Sequence, residues 1–258
     1  MESAAAEPRN APTTSEPSLR ERFFRISRRI AELDENHWYS GYLDIEAERL
    51  LSDIEIVTRA VPKPGRILDI GCSPPFVLAS LQSLGYEAVG IDVNPAAFAR
   101  SQAEFGFDAV KCDIEATPLP FADGTFDAVL MCEVFEHLRI NPVRTMHEVH
   151  RVIRPGGFLH LTTPNLFSLG GIRNFLLKRS AFFCTRRELY DELNHINVEG
   201  FSGHVREYTH REVEGFLLRV GFAPVRTHFR FGGLKGWTRP VYVIAPFLRP
   251  NVAVHAFR

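Results

Sequence analysis

The chain has 258 residues, 45% of them apolar, and a formal charge of −1 at pH 7, so it is long enough to bury a substantial core as one domain with extensions. Near-neutrality excludes a global field that would draw it onto nucleic acid or an anionic membrane, and Cys72, Cys112, Cys132 and Cys184 lack CxxC spacing, which excludes a zinc ribbon and points to core thiols in a reducing compartment. No apolar run reaches the ~20 residues of a membrane span, and Met1 to Asn10 lacks a signal-peptide core, so a cytoplasmic protein is expected.

Residues 1–16, rich in Ala, Pro, Ser, Thr and Glu without periodicity, read as a disordered tail. Residues 17–64 read as an N-terminal helical cap. Ser18 with Glu21 makes a capping box, and Phe23, Ile26, Ile30 and Leu33 keep helical spacing among five arginines. Such a basic amphipathic helix lies either on a membrane or on its own domain with a solvated charged face, and the second is the favoured reading. A second helix, loosely patterned from Leu43, has a clear stripe at Leu50, Leu51, Ile54, Val57 and Val61 and stops at Pro62-Lys63-Pro64-Gly65.

From residue 65 to 258 strands and helices alternate. Strands are expected at 66–70, 87–92, 108–112, 126–132, 158–163, 223–230 and 241–245, with helices at 75–84, 95–105 and 142–153. The first strand is apolar on both faces apart from Asp69, as a buried parallel strand is. Gly71 breaks it, Pro74 and Pro75 suit a first helical turn, and Asp92 closes the second strand where nucleotide-binding units carry an acid for a ribose. The expected fold is α/β: a Rossmann-like, doubly wound, mainly parallel seven-stranded sheet flanked by helices. Ligands of such sheets collect beyond the carboxyl ends of the strands, where Asp69, Gly71, Asp92, Asp113 and Glu133 all sit. Residues 164–205 break the alternation; with Arg173, Lys178, Arg179, Arg186 and Arg187 they read as an inserted lid over the same rim, its basic side chains available to an anionic substrate or a membrane surface or simply solvated. Thr209 with Glu212 makes another capping box, and Gly221 stops that helix.

Ile-Leu-Asp-Ile-Gly-Cys, Gly-Ile-Asp, Cys-Asp-Ile-Glu-Ala-Thr-Pro-Leu-Pro-Phe, Phe-Asp-Ala-Val-Leu-Met-Cys-Glu-Val-Phe-Glu-His-Leu and Arg-Val-Ile-Arg-Pro-Gly-Gly occur in that order over about 66–230. The ordered set resembles the class I S-adenosylmethionine-dependent methyltransferases, in the small-molecule branch that includes ubiquinone-biosynthesis enzymes. The resemblance implies a methyltransferase domain over 65–258 with S-adenosyl-L-methionine as cofactor. It places Asp69 and Gly71 at the methionine part, Asp92 at the ribose, Asp113 and Ile114 at the adenine, and Cys72, Val93 and Glu133 elsewhere among the cofactor-binding residues. One carboxylate can accept from both vicinal hydroxyls, which gives Asp92 its chemical sense. Where the family has Gly-x-Gly-x-Gly this chain has Gly71-Cys72-Ser73-Pro74-Pro75, so Ser73 adds a side chain where backbone normally meets cofactor.

The segment Glu133-Val-Phe-Glu136-His137 resembles the Glu-x-x-Glu-His of magnesium-dependent O-methyltransferases, and His204 resembles a later histidine ligand. This implies Glu136 and His137 as catalytic residues. It also implies two alternatives: a Mg2+ site of Glu133, Glu136, His137 and His204, or a metal-free site with the histidine as base. The expected reaction is methyl transfer to a small-molecule, glycan or lipid-linked acceptor at oxygen, with no nucleic-acid partner. The alternatives are a binding subunit without turnover, suggested by the altered glycine loop, and a nicotinamide-dependent oxidoreductase, which Ser73 and Phe76 disfavour because a pyrophosphate needs glycines there.

Overall fold

The computed structural model describes residues 16–34, 37–181, 189–199, 203–230 and 238–258; the tail expected at 1–16 falls outside these apart from Glu16. Helix α1 (Leu19–Leu33) begins at its capping box, where the Ser18 N–H donates to the Glu21 carboxylate at 2.8 Å, and it buries Phe23, Ile26 and Ile30. Helix α2 (His37–Ala60) starts ahead of Leu43 and buries the stripe from Leu50 to Val57.

Seven strands make one sheet: β1 (Arg66–Ile70), β2 (Glu87–Asp92), β3 (Asp108–Lys111), β4 (Phe126–Cys132), β5 (Ile153–Pro164), β6 (Val225–Arg230) and β7 (Asn251–Phe257). Their order is β3-β2-β1-β4-β5-β7-β6, with β7 antiparallel to both neighbours and the remaining pairs parallel. The parallel connections run through α3 (Phe76–Ser83), then a 3-10 turn Pro95–Phe98 with α4 (Ala99–Phe105), and α5 (Pro142–Val152). Two helices follow β5, α6 (Leu169–Lys178) and α7 (Leu189–Glu199); then come α8 (His210–Val220) and α9 (Thr238–Ile244).

The period-2 alternation of the strands sorts the core into two layers. Ile67, Ala88, Ala128, Leu130 and Phe158 face α1, α2 and α3. Leu68, Ile70, Ile91, Val129, Met131, Leu159 and Leu161 face α5 and α8 through Met146, Val149, Val213 and Leu217. Helix α8 carries its predicted capping box and ends at Gly221 in the left-handed region.

Three expectations change. The strand expected at 241–245 is α9 followed by a 3-10 turn, Pro246–Leu248; Tyr242 is buried while Val243 and Ile244 face outward, so a β-branched run has been overruled by its surroundings. The last strand is instead β7, which completes the sheet by pairing with β5 and β6. Strand β5 begins at Ile153 rather than 158, running through Pro155-Gly156-Gly157 with a register shift against β4. The described part of the expected lid contains α6 and α7, with Asn165 bridging to Tyr208. Cys72, Cys112 and Cys132 are free thiols, and Cys184 lies outside the described residues. Among the described residues no helix is long and apolar enough to cross a membrane.

Candidate active site

The carboxyl ends of β1, β2 and β3 lie side by side because the strands are parallel and hydrogen-bonded neighbours. Gly71 turns the chain out of β1 at φ +72°, and a Cβ there would sit 2.5 Å from Val134 Cγ2, so only glycine allows this loop to meet the end of β4. The Ser73 N–H donates to Asp92 Oδ2 at 3.2 Å, and the Asn94 N–H donates to Oδ1 at 2.8 Å. The altered glycine loop is therefore tied to Asp92. The Cys112 N–H donates to the Asp92 carbonyl at 2.9 Å, which sets Asp113 on the same rim as Asp92. Asp113 is exposed and accepts from the Glu115 and Ala116 N–H groups, Ile114 packs into the layer below, and Val93 is half-buried.

Asp69 is buried, and its carboxyl is pushed up to about 8, first by loss of solvent and then by the charges of Asp53 and Asp92. Cys72 lies in the loop that leaves β1. Its side chain is buried against Gly90, where an added Cβ would meet Sγ at 2.6 Å, and burial pushes the thiol far up, so the side chain is spent on packing.

The second half of the site comes from the turn after β4. Glu133 adopts the left-handed region at φ 55°, its N–H donating to the Thr162 carbonyl at 2.9 Å. That conformation is uncommon outside glycine and costs of order 1 kcal/mol. Glu136 is fully buried, one oxygen accepting from Thr163 Oγ1 at 3.0 Å. Glu133 Oε1 and Glu136 Oε1 are buried with no protein partner among the described residues. Burial and the neighbouring Glu133 push the Glu136 carboxyl well above its ordinary range.

His137 Nδ1 lies 2.7 Å from the Gly203 carbonyl; facing an acceptor it must donate, which leaves Nε2 with its lone pair. Burial, then His204, lowers the imidazole to about 4, so it is neutral at physiological pH. The His204 ring stands 5.0 Å from that of His137. One donor atom each from Glu136, His137 and His204 lie within 4.8 Å of one another. Glu133 is not in this group: its Oε2 faces Asn251 Nδ2 at 3.4 Å, so the four-residue set expected from sequence is a three-residue set in space. Helix α7 and the segment after it reach this turn directly, since Arg139 Nη1 donates to the Ile196 carbonyl at 3.4 Å and the Val205 N–H donates to the Glu136 carbonyl at 3.0 Å.

Sequence reasoning missed a buried ionic cluster on the α2 face. Asp53 is fully buried, accepts from Arg230 and lies 2.6 Å from His160 Nε2. Arg49 bonds Tyr42 Oη at 2.5 Å and Glu46 at 2.6 Å. The available signal was Asp53 inside the apolar stripe Leu50, Ile54, Val57, a position where a lone acid requires a partner. The cluster adjoins the site, because the Asp53 charge is among those raising Asp69.

An acid-lined rim with unpartnered buried carboxylate oxygens and a destabilised Asp69 anion fits a ligand that brings positive charge and hydroxyl donors, as S-adenosylmethionine does with its sulfonium, ammonium and ribose groups.

Residues 68–161 match the family model for a methyltransferase domain. Among curated proteins the chain is similar to an uncharacterized methyltransferase of Mycobacterium sp. (strain KMS), 33% identical over 135 residues, 52% of each chain. It is also similar to human Methyltransferase-like protein 27, 33% identical over 115 residues, 43% of this chain and 46% of that protein. The chain thus spans about half the length of the curated relatives it matches. Among solved structures it shares its fold with a SAM-dependent methyltransferase from Archaeoglobus fulgidus, TM-score 0.57 at 16% identity, covering 86% of this chain and all of that one. Residues 68–161 thus match a methyltransferase domain, set in a fold that the chain shares with solved SAM-dependent methyltransferases.

Proposed function

We propose that the protein transfers a methyl group from S-adenosylmethionine to an oxygen of a small-molecule, glycan or lipid-linked acceptor. The observation that carries this reading is the neutral His137, its Nε2 free, beside buried Glu136 on the rim where Asp69, Asp92 and Asp113 converge. When bound, the cofactor supplies an activated methyl on a sulfonium, which leaves the protein to align the acceptor and keep water out.

In this reading Asp92 holds the ribose hydroxyls, already oriented by the Ser73 and Asn94 peptides. Asp113 accepts from the adenine amino group, with Ile114 beneath the ring. Asp69, Gly71 and Glu133 line the amino-acid end. His137 Nε2 takes the proton of the acceptor hydroxyl, and the Nδ1 bond to Gly203 fixes its tautomer. Glu136 holds the histidine turn against β5 through Thr163.

Glu136, His137 and His204 are also an N/O donor set of a kind that suits a divalent ion such as Mg2+, which would lower the pKa of a bound hydroxyl. The test is calorimetric titration of S-adenosylmethionine and S-adenosylhomocysteine, then a screen of acceptors with labelled methyl donor, with and without chelator. Heat with both ligands and label in an O-methylated product support the reading. No heat at millimolar cofactor favours a binding subunit without turnover.

A further inference from the structure

The two segments bordering the rim beyond β5 and β7 carry a surface that the proposed chemistry does not use. On α6, Phe175, Leu176 and Leu177 are 62%, 69% and 77% exposed, three large apolar side chains in a row. Val243 and Ile244 at the end of α9 are likewise exposed, as are Phe167 and Phe247. The two segments are joined: Asn165 Nδ2 donates to the Phe247 and Arg249 carbonyls at 2.8 and 2.9 Å, and the Phe167 and Phe247 rings stack at 6.2 Å. Isolated exposed apolar residues need no explanation, but an array on adjoining segments marks a docking surface.

Charge selects the occupant. Residues 165–181 and 238–251 contain no Asp or Glu, and they contain Arg173, Lys178, Arg179, Arg239 and Arg249. Arg249 is spent on the Phe229 and Tyr242 carbonyls. The other four are exposed, and none forms an ion pair among the described residues. The basic helix α1 differs, since Arg20 pairs with Glu48 and Arg29 with Glu104. A protein partner would be met by a patch with a mixed polar rim, whereas apolar tips on segments whose only charges are cations match an anionic bilayer, whose acyl boundary takes the former and whose headgroups take the latter.

We propose that the α6 and α9 face docks peripherally on an anionic lipid bilayer. The placement suits the rim. Thr163, at the end of β5, bonds Glu136, and α6 begins six residues later, so a docked bilayer lies on the side of the sheet where the strands end. The surface stands apart from the methyl-transfer reading, and the two are measured separately.

Full-length protein is sedimented with phosphatidylglycerol and with phosphatidylcholine vesicles, and cofactor binding is measured by calorimetry without lipid. The expected result is binding to the anionic vesicles that weakens with salt. It falls about tenfold or more in Arg173→Glu/Lys178→Glu and in Leu176→Glu/Leu177→Glu, with thermal midpoints unchanged because all four side chains are exposed. Equal binding to both vesicle types, or none, overturns the proposal. So does loss on Arg25→Glu/Arg28→Glu in α1 with the α6 variants unaffected, or self-association through this face, read by sedimentation velocity, without vesicle binding.

Discussion

The Ser73 peptide N–H donates to the Asp92 carboxylate at 3.2 Å, across the gap between the turn after β1 and the end of β2. The bond comes from the backbone, so a serine in the glycine-rich position keeps the tie to the acid that any residue there would make. With Asn94 on the other oxygen, Asp92 is oriented before any ligand arrives, and preorganisation of this kind reduces the ordering cost of binding.

Asp92→Ala removes that acceptor. Affinity for S-adenosylmethionine is expected to fall by about 1–3 kcal/mol, the range for a charged hydrogen bond, as read by calorimetry. Unchanged affinity removes Asp92 from the cofactor site.

In the proposed reading Asp69 lines the cofactor site, and binding there is expected to depend on pH. Its free carboxyl titrates at about 8, so below that pH a cationic ligand must expel a proton to gain the carboxylate. Affinity is expected to rise with pH from 6 to 8 and then level, with proton release on binding detectable as a buffer-dependent heat. In Asp69→Asn the part of the slope not due to the ligand's own amine disappears. The sign for stability is opposite. A carboxyl raised above its unfolded value of about 4 contributes stability that is present below pH 4 and lost as pH rises through 8. Thermal midpoints of Asp69→Asn should therefore gain on the wild type across that window.

Glu136→Gln and His137→Ala are expected to suppress turnover at least a hundredfold, the lower end of what a positioned acid or base supplies, while sparing cofactor affinity. A chelator reproduces that loss only if the Glu136, His137 and His204 set works through an ion. Product formation at the full rate in chelator leaves His137 as a metal-free base.

Asp53 is a stability residue at the edge of the site. Asp53→Ala leaves Arg230 buried without its carboxylate, and breaking such a pair costs about 3–5 kcal/mol. Urea unfolding should show that loss, and Asp53→Leu with Arg230→Met should recover most of it. A cost under 1 kcal/mol for the single variant would show that the cluster is solvated rather than buried.

Much of the architecture was legible because short-range patterns report which faces are covered. The capping boxes at Ser18 and Thr209, the break at Gly71 and the apolar runs of β1 and β4 are local features, and each element forms where its residues require. The run Val241 to Ile244 misled for the same reason: its propensity is that of a strand, but β7 already fills the place beside β5 and β6.

The sequence by itself determined the strand and helix order from α1 to β5 and which of those strand ends carry acids, since periodicity and turn chemistry act over a few residues. Only the tertiary structure decided that Cys72 is spent on packing against Gly90, that Glu133 turns aside from His137, and that Asp53 meets His160 and Arg230, 107 and 177 residues away. Those outcomes depend on which distant side chains the folded sheet leaves within reach, and no local pattern encodes a pairing between residues so far apart in the chain.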